Sequence, residues 1–280
     1  MSVVETSWQG ATKLVNPALI KVWGAWFVAE YRLKNMSKWS LAIVAFGLGN
    51  PILYLLSVGI GIGSLINKAQ GSHGIEGVPY LTFLAPALLA TAAIQGAMDE
   101  VTFPTLEGFS WTRVFFSMNA TAITARQIVG GVMIASMARC ILTTFLYEAV
   151  LLGFGAIEWS AVLPMAAYAV FAGFAFASLM LGITSFVKED DGFFAIVGRF
   201  VIAPMFMFSG TFYPISTLPI YLQWIGWISP LWHATNAGRA LAYGHPVAGW
   251  LMFVHTAYLA LMIVAGFWMA NRQFEKRLAE

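Results

Sequence analysis

The sequence predicts an all-α membrane protein with six transmembrane helices, an N-terminal amphipathic helix at the membrane interface and a re-entrant helical pair before the last span. The 280 residues are 59% hydrophobic and 10% charged, whereas soluble domains carry about 25% charged residues. A helix needs roughly 20 mostly apolar residues to cross ~30 Å of hydrocarbon. Six stretches meet that length, at residues 41–66, 80–98, 128–153, 162–187, 193–212 and 250–269.

The N-terminal helix is predicted from a cap and an apolar stripe. Asn16 is suited to cap a helix and Pro17 to begin its first turn. Apolar residues then recur on one face, and Trp side chains favour the headgroup level of a membrane. The stripe consists of Leu19, Val22, Trp23, Trp26 and Phe27. We therefore assign residues 1–40 to a cytoplasmic N-terminus with an interfacial helix, 41–270 to the six-span domain and 271–280 to a cytoplasmic tail.

The distribution of basic residues predicts the orientation. Lys and Arg accumulate on the cytoplasmic side of membrane proteins, and six spans place both termini on one side. Eleven basic residues then share the side of the termini, only Lys68 and Arg239 lie on the other side, and Arg139 and Arg199 fall within spans. Both termini are therefore expected in the cytoplasm.

The longest cytoplasmic loop, residues 99–127, mixes aromatic and charged residues and predicts short amphipathic helices at the membrane surface. Exposed aromatic side chains are typical of interaction sites. The aromatic residues concerned are Phe109, Trp111, Phe115 and Phe116. A docking surface for a soluble partner is one interpretation, and a plain connecting loop is the alternative.

Charged residues within spans are costly and by default suggest a function. Arg139 and Glu148 are nine residues apart, hence ~13.5 Å along one helix and on opposite faces, so they cannot pair with each other. Arg139 either reaches the cytoplasmic interface with its long side chain or has a partner on another helix. Glu148 either faces an aqueous path or a partner helix, or serves only in packing. Arg199 lies near the start of the fifth span.

The fifth span and the segment after it, 213–249, are unusual. Met and Phe residues follow Pro204 and either line a path for a greasy substrate or simply pack. In 213–249, Pro230 interrupts an apolar, Trp-rich stretch that is too short on either side to form a seventh span. We predict a re-entrant pair of helices that enters from the outer face. His233 and His255 have no neighbours at metal-ligand spacing, so we interpret both as structural and predict no metal site.

No Gly-x-x-x-x-Gly-Lys-[Ser/Thr] run occurs in the chain, so it cannot cradle ATP phosphates as a P-loop does. No catalytic residues and no nucleic-acid partner are predicted. Energy for transport must then come from an ion gradient or from a partner. The rival to a partner-driven permease is a stand-alone ion-coupled carrier or an intramembrane enzyme, although no repeat between 41–153 and 162–269 supports the carrier.

Two groups of residues resemble those of ABC-2-type export permeases. The first surrounds the end of the fifth span and the segment after it, and comprises Ser209, Gly210, Pro214, Pro230, His233 and Arg239. The second is the run Gly-Asn-Pro-Ile-Leu-Tyr-Leu at 49–55 with glycines at 59, 61 and 63. It resembles the subgroup that contains nodulation-factor (lipo-chitooligosaccharide) and daunorubicin-type drug exporters. The resemblance covers almost the whole chain.

This resemblance implies a subunit of a larger exporter in the bacterial cytoplasmic membrane. Two P-loop subunits would bind ATP and Mg, while this chain binds no cofactor, and a second permease copy or a related permease would complete the complex in the bilayer. The cargo would be an amphiphile. The residues implied to couple to the ATPase are Glu107, Phe109, Trp111, Thr112 and Arg113. Those implied to line the substrate path are Tyr54, Met205, Phe206, Phe208 and Phe212.

Overall fold

The computed structural model describes residues 17–69 and 74–280, and these residues form helices joined by short connections. The predicted cap, Asn16, lies outside the described residues, as do 70–73 of the predicted outer loop. Within the described ranges, the single strand-like feature is an isolated bridge between Ile75 and Val78.

The described residues contain eleven helices besides one 3₁₀ turn, and they are numbered along the chain. Helix α2 consists of three consecutive segments: α-helical Ser40–Tyr54, π-helical Leu55–Ile62 and α-helical Gly63–Ala69. Helix α4 combines Phe103–Leu106 with the π-helical Glu107–Trp111. The others are α1 (Pro17–Ser37), α3 (Tyr80–Val101), α5 (Val114–Asn119), α6 (Ala125–Gly153), α7 (Trp159–Thr184), α8 (Phe193–Phe208), α9 (Ile220–Ile228), α10 (Pro230–Tyr243) and α11 (Gly249–Leu278).

Within 17–69 and 74–280, five helical stretches are long and apolar enough to cross a membrane, and they contain α2, α3, α6, α7 and α11. They coincide with five of the six predicted spans. The predicted fifth span, 193–212, instead corresponds to α8, which at ~1.5 Å per residue is only about 24 Å long. Six spans therefore remain a prediction. Helix α11 runs to Leu278, so most of the predicted tail 271–280 continues the last helix.

Helix α7 lies at the centre of the bundle and packs against α3, α6, α10 and α11. Small residues allow this close approach. A Cβ on Gly173 would come within 2.8 Å of the Ala93 carbonyl oxygen on α3, and a Cβ on Gly266 of α11 would lie 2.2 Å from the Ser178 carbonyl carbon. Small residues on α7 thus allow close packing against two neighbouring helices, α3 and α11.

Helix α1 packs along α6 with the face opposite to its predicted apolar stripe. Val28 and Ala29 are buried there, and a Cβ on Gly131 of α6 would come within 2.4 Å of the Val28 Cβ. The stripe itself, from Leu19 to Phe27, points outward. This arrangement suits a helix that offers aromatic side chains to lipid while its other face is held by the protein.

Among the described residues, several that the charge distribution placed on the cytoplasmic side lie at one end of the bundle, which we call the inner end. There, Arg126 on α6 pairs with Glu275 on α11 at 2.7 Å, and Lys188 pairs with Glu280 at 3.8 Å. At the opposite, outer end, His245 lies 3.1 Å from Glu76.

Candidate functional site

A cavity of about 690 Å³ opens between α2, α3 and α6, and Phe206 of α8 also borders it. Most of its lining is apolar, but polar groups mark both ends. Asp99 and Arg139 lie at the inner end, and Tyr54 and Tyr147 lie farther out. Arg139 and Tyr147 are eight residues apart on α6, which corresponds to about 12 Å. The cavity thus carries polar groups at two levels along α6, within a mostly apolar lining.

The inner end of the cavity holds an ion pair between two helices. The Arg139 Nη2 lies 2.8 Å from the Asp99 Oδ2, and the Gln95 Nε2 donates to the Asp99 Oδ1 at 2.8 Å. Both charged side chains are partly exposed. Of the two alternatives for Arg139, the structure therefore shows a partner on another helix, Asp99 of α3. The ion pair makes this end of the cavity polar without giving it a net charge.

The outer part of the cavity is bounded by an aromatic cluster. The ring centroids of Tyr54 and Phe206 and those of Tyr54 and Phe212 lie 6.4 Å apart, while Phe206 and Phe212 lie 5.1 Å apart edge to face. Three of the five predicted path residues therefore meet. Of the five, Tyr54 and Phe206 line the cavity, whereas Met205, Phe208 and Phe212 do not. Met205 is buried in the core.

Two other predicted intramembrane charges lie away from this cavity. Glu148 is 1% exposed, and neither carboxylate oxygen has a hydrogen-bond partner among the described residues. Arg199 lies in a π-helical turn of α8, Gly198–Ile202, and its side chain is exposed. Neither residue borders the cavity, so a role of either in the path stays a prediction.

At the inner end, the π-helical Glu107–Trp111 forms the predicted coupling segment. Trp111 is 63% exposed, and Thr112 and Arg113 are exposed beside it. Arg113 has a φ of +53°, so the chain turns sharply after Trp111. Glu107 is half-buried, and its carbonyl oxygen accepts from Thr112 Oγ1 at 3.0 Å.

The interpretation of Phe109 and Phe115 as exposed aromatics is wrong. Phe109 is 2% exposed and Phe115 is fully buried, and their ring centroids lie 5.0 Å apart. Gly108 makes this contact possible, because a Cβ there would come within 2.5 Å of the Phe115 ring. Sequence periodicity could not show that these rings turn toward α11, where Phe274 lies 4.6 Å from Phe109. Only Trp111 of the segment presents a large exposed aromatic surface.

The coupling segment borders a depression of about 830 Å³ at the inner end. The turn after α7 and the end of α11 form its other walls. Its charged lining residues are Arg113, Lys188, Glu189, Asp190, Asp191, Arg277 and Glu280. Charges of both signs around exposed Trp111 are typical of a surface that meets a protein partner.

The sequence profile of the ABC-2 type transporter family matches residues 25–243 of this chain. The chain belongs to this family. It is also similar to Nodulation protein J of Rhizobium leguminosarum bv. viciae, with 29% identity over 264 residues that cover 93% of this chain and 98% of that protein. Nodulation protein J of Sinorhizobium fredii is 28% identical over 90% of this chain and 94% of its own length, and that of Rhizobium meliloti is 26% identical over the same shares. The resemblance inferred from the signature residues is confirmed.

The signature residues of this ABC-2 permease meet at the outer end. Ser209 Oγ donates to Ser229 Oγ at 2.6 Å, and Ser229 caps the start of α10 through the Leu231 N–H at 3.2 Å. Gly210 has a φ of +76°, which suits a residue without Cβ. Its carbonyl accepts from Arg239 Nη2 at 2.7 Å.

Arg239 is buried and lies over the Phe83 ring of α3 at 3.7 Å. It therefore ties α10 to α3 and to the end of α8. Pro214 and Pro230 serve local structure, since Pro214 precedes a 3₁₀ turn, Ile215–Thr217, and Pro230 begins α10. Two short helices, α9 and α10, thus occupy the predicted re-entrant segment, while their entry into the membrane stays a prediction.

His233 and His255 are not lone residues. Their Nδ1 atoms lie 2.7 Å apart between α10 and α11, and His233 Nε2 lies 3.0 Å from the Trp227 carbonyl oxygen. Tyr258 stacks on His233 at 4.1 Å. Spacing along the chain could not bring together residues 22 positions apart on different helices. The contact supports their structural interpretation, because it joins the outer helices to the last span.

Proposed function

We propose that this chain is the transmembrane permease subunit of an ATP-driven exporter, which moves an amphiphilic molecule out of the cytoplasm or the inner leaflet. The observation that carries the proposal is the cavity between α2, α3 and α6. It combines an apolar body with the Asp99–Arg139 pair at its inner end. Membership in the ABC-2 type transporter family supports the export class.

The cavity favours a cargo with a hydrogen-bonding head and a hydrophobic part. Asp99 and Arg139 neutralise each other, so a neutral polar head meets donors and acceptors there without a charge penalty. Leu88, Ala92 and Phe206 offer apolar contacts farther along. A lipid-linked saccharide, a lipo-oligosaccharide or a hydrophobic drug has this chemistry.

The motor in this proposal is separate. Two P-loop subunits bind ATP and Mg and dock on the inner end, where Trp111, Thr112 and Arg113 are exposed. A second permease, identical or related, completes the path between the two halves. Both termini lie in the cytoplasm, and residues 41–270 form the part within the bacterial cytoplasmic membrane.

The cycle is driven by differential affinity. ATP closes the two ATPases, their movement displaces the coupling segment, and the permease halves rock to open the path. The bias comes from the stronger binding of ATP to one conformation of the complex, so no chemistry by this chain is needed.

Purification of the tagged chain from its native membrane tests the proposal. We expect a P-loop ATPase and a second permease to co-purify, and we expect lipid-linked saccharide in phospholipid vesicles to raise the ATPase rate above that in phospholipid alone. Transport by the chain reconstituted without any partner would contradict the proposal. That result would support the stand-alone carrier or intramembrane enzyme instead.

A further inference from the structure

Arg277, in the last turn of α11, is buried at the inner end although two exposed cations, Arg272 and Lys276, precede it. Its guanidinium donates to two backbone carbonyls, from Nη1 to Ser185 O at 3.2 Å and to Val187 O at 2.7 Å. These acceptors lie about 90 positions away in the sequence. The side chain therefore connects the last helix to the end of α7.

The carbonyls that Arg277 binds come just after the C-terminus of α7, which ends at Thr184. The last carbonyls of α7 itself already accept backbone N–H groups, those of Ile183 and Thr184 from Phe186 and Val187. A planar guanidinium offers several donors in a fixed geometry, so it can satisfy two carbonyls at once. Arg277 thus holds the turn after α7, at Ser185 and Val187, against the end of α11.

The same guanidinium reaches the coupling segment. Arg277 Nη2 donates to Ser110 Oγ at 3.2 Å, and Ser110 Oγ itself donates to Lys188 O at 2.7 Å. The guanidinium also lies 4.1 Å from the centroid of the buried Phe109 ring. Ser110 is therefore held between α11 and the turn after α7.

Aromatic packing strengthens this junction. Phe274, one turn before Arg277, lies 4.6 Å from Phe109 and 5.7 Å from Phe115, and all three rings are buried. The polar contacts of Arg277 and the ring contacts of Phe274 come from the same face of α11. Exposed Trp111 is the next residue after Ser110, so a force applied to Trp111 acts directly on this junction.

We propose that Arg277 is a positioning residue that joins the coupling segment to the inner ends of α7 and α11, so that the three move as one unit. This inference rests on the proposed function and adds to it a route of transmission. When the coupling segment moves, the Arg277 guanidinium transmits the displacement to α7 and α11. The covalent backbone transmits it to α3 as well.

Hydrogen–deuterium exchange on the purified complex with its co-purifying ATPase tests this route, with and without a non-hydrolysable ATP analogue. In the wild-type complex, nucleotide should change the exchange of residues 103–119 and 181–192 together. In Arg277→Gln the change at 103–119 should persist, while that at 181–192 falls at least roughly fivefold. Arg277→Lys keeps the positive charge but loses the planar set of guanidinium donors. Its response at 181–192 should lie between those of wild type and Arg277→Gln.

Lys276→Gln is the matched control, because it removes an exposed charge from the adjacent position and should behave as wild type. Ser110→Ala removes only the bridging hydroxyl and should give about a twofold loss of response at 181–192. This variant and Arg277→Lys carry the test if Arg277→Gln does not fold.

An Arg277→Gln complex that keeps the wild-type response at both segments would overturn the inference alone. A wild-type chain that captures no ATPase would instead contradict the proposed function. The two failures are therefore distinguishable in the same preparation.

Discussion

The Arg32 guanidinium lies 2.9 Å from the Glu100 carboxylate, and both side chains are buried although the two residues are 68 positions apart. Arg32 also donates to the carbonyl oxygens of Glu100 at 2.6 Å and Pro104 at 2.9 Å. Helix α1 is thereby fastened where α3 ends and α4 begins. Any movement of the coupling segment must carry α1 with it or break these contacts.

We expect Arg32→Ala to lower the free energy of unfolding by about 3–5 kcal/mol, because it leaves the Glu100 carboxylate buried without its cation. Chemical unfolding in detergent measures the change. Lys34→Ala is the control, since it removes an exposed pair with Glu30 on the same helix and should cost less than about 0.5 kcal/mol. An equal decrease in the free energy of unfolding for the two variants would show that the buried Arg32–Glu100 pair stabilises the fold no more than an exposed pair.

We expect Trp111→Ala combined with Arg113→Ala to uncouple ATP hydrolysis from transport while the permease stays folded. Both side chains are exposed, so their removal costs little packing. Truncation of a hot-spot aromatic residue at an interface costs about 2 kcal/mol or more of binding, which is roughly thirtyfold in affinity. The measurements are ATPase capture and the amount of cargo moved per ATP hydrolysed.

The control for that pair is Trp159→Ala, which truncates a more exposed Trp at the opposite end of the bundle. It should leave ATPase capture unchanged. If the Trp111 and Arg113 double variant moved as much cargo per ATP as wild type, the ATPase would not dock on this segment.

Ala92→Phe should reduce transport by about tenfold or more, because the added ring occupies the cavity between α2 and α3. Ala195→Phe adds the same ring at an exposed position that does not border the cavity, and it should transport as wild type. Both variants should capture the ATPase equally. A wild-type transport rate in Ala92→Phe would show that the cargo does not pass through this cavity.

Glu148→Gln should lower transport by roughly fivefold or more, and it should leave the free energy of unfolding within about 1 kcal/mol of wild type. A buried carboxyl without hydrogen bonds contributes nothing to stability that the neutral amide would lose. Flux assays and the yield of assembled complex measure the two effects. Unchanged flux would leave Glu148 as a packing residue.

Hydropathy and charge placement were enough to predict the helical membrane class, five of the spans and the grouping of residues at the inner end. The reason is that a bilayer imposes length and composition on each segment independently of its neighbours. The family resemblance likewise came from short runs such as Ser209-Gly210 and Ser229-Pro230. The length of α8 departed from prediction because the point at which a helix ends depends on its packing against neighbouring segments as well as on local hydropathy.

Pairings between helices could not be predicted in the same way. Asp99 with Arg139, Arg32 with Glu100 and His233 with His255 join residues whose distance along the chain carries no signal of contact. The burial of Phe109 beneath α11 is likewise invisible in its sequence pattern. The spacing of apolar residues shows which side chains share a helix face with Phe109. It does not show which other helix that face packs against.

By itself, the sequence determined that this chain is a bundle of membrane helices of the ABC-2 type with a polar, aromatic inner loop. The tertiary structure alone decided which charges are paired, which aromatic rings are buried and where a cavity remains between helices. The physical reason is that burial in lipid acts on each helix separately, whereas ion pairs, caps and cavities arise only when helix faces meet.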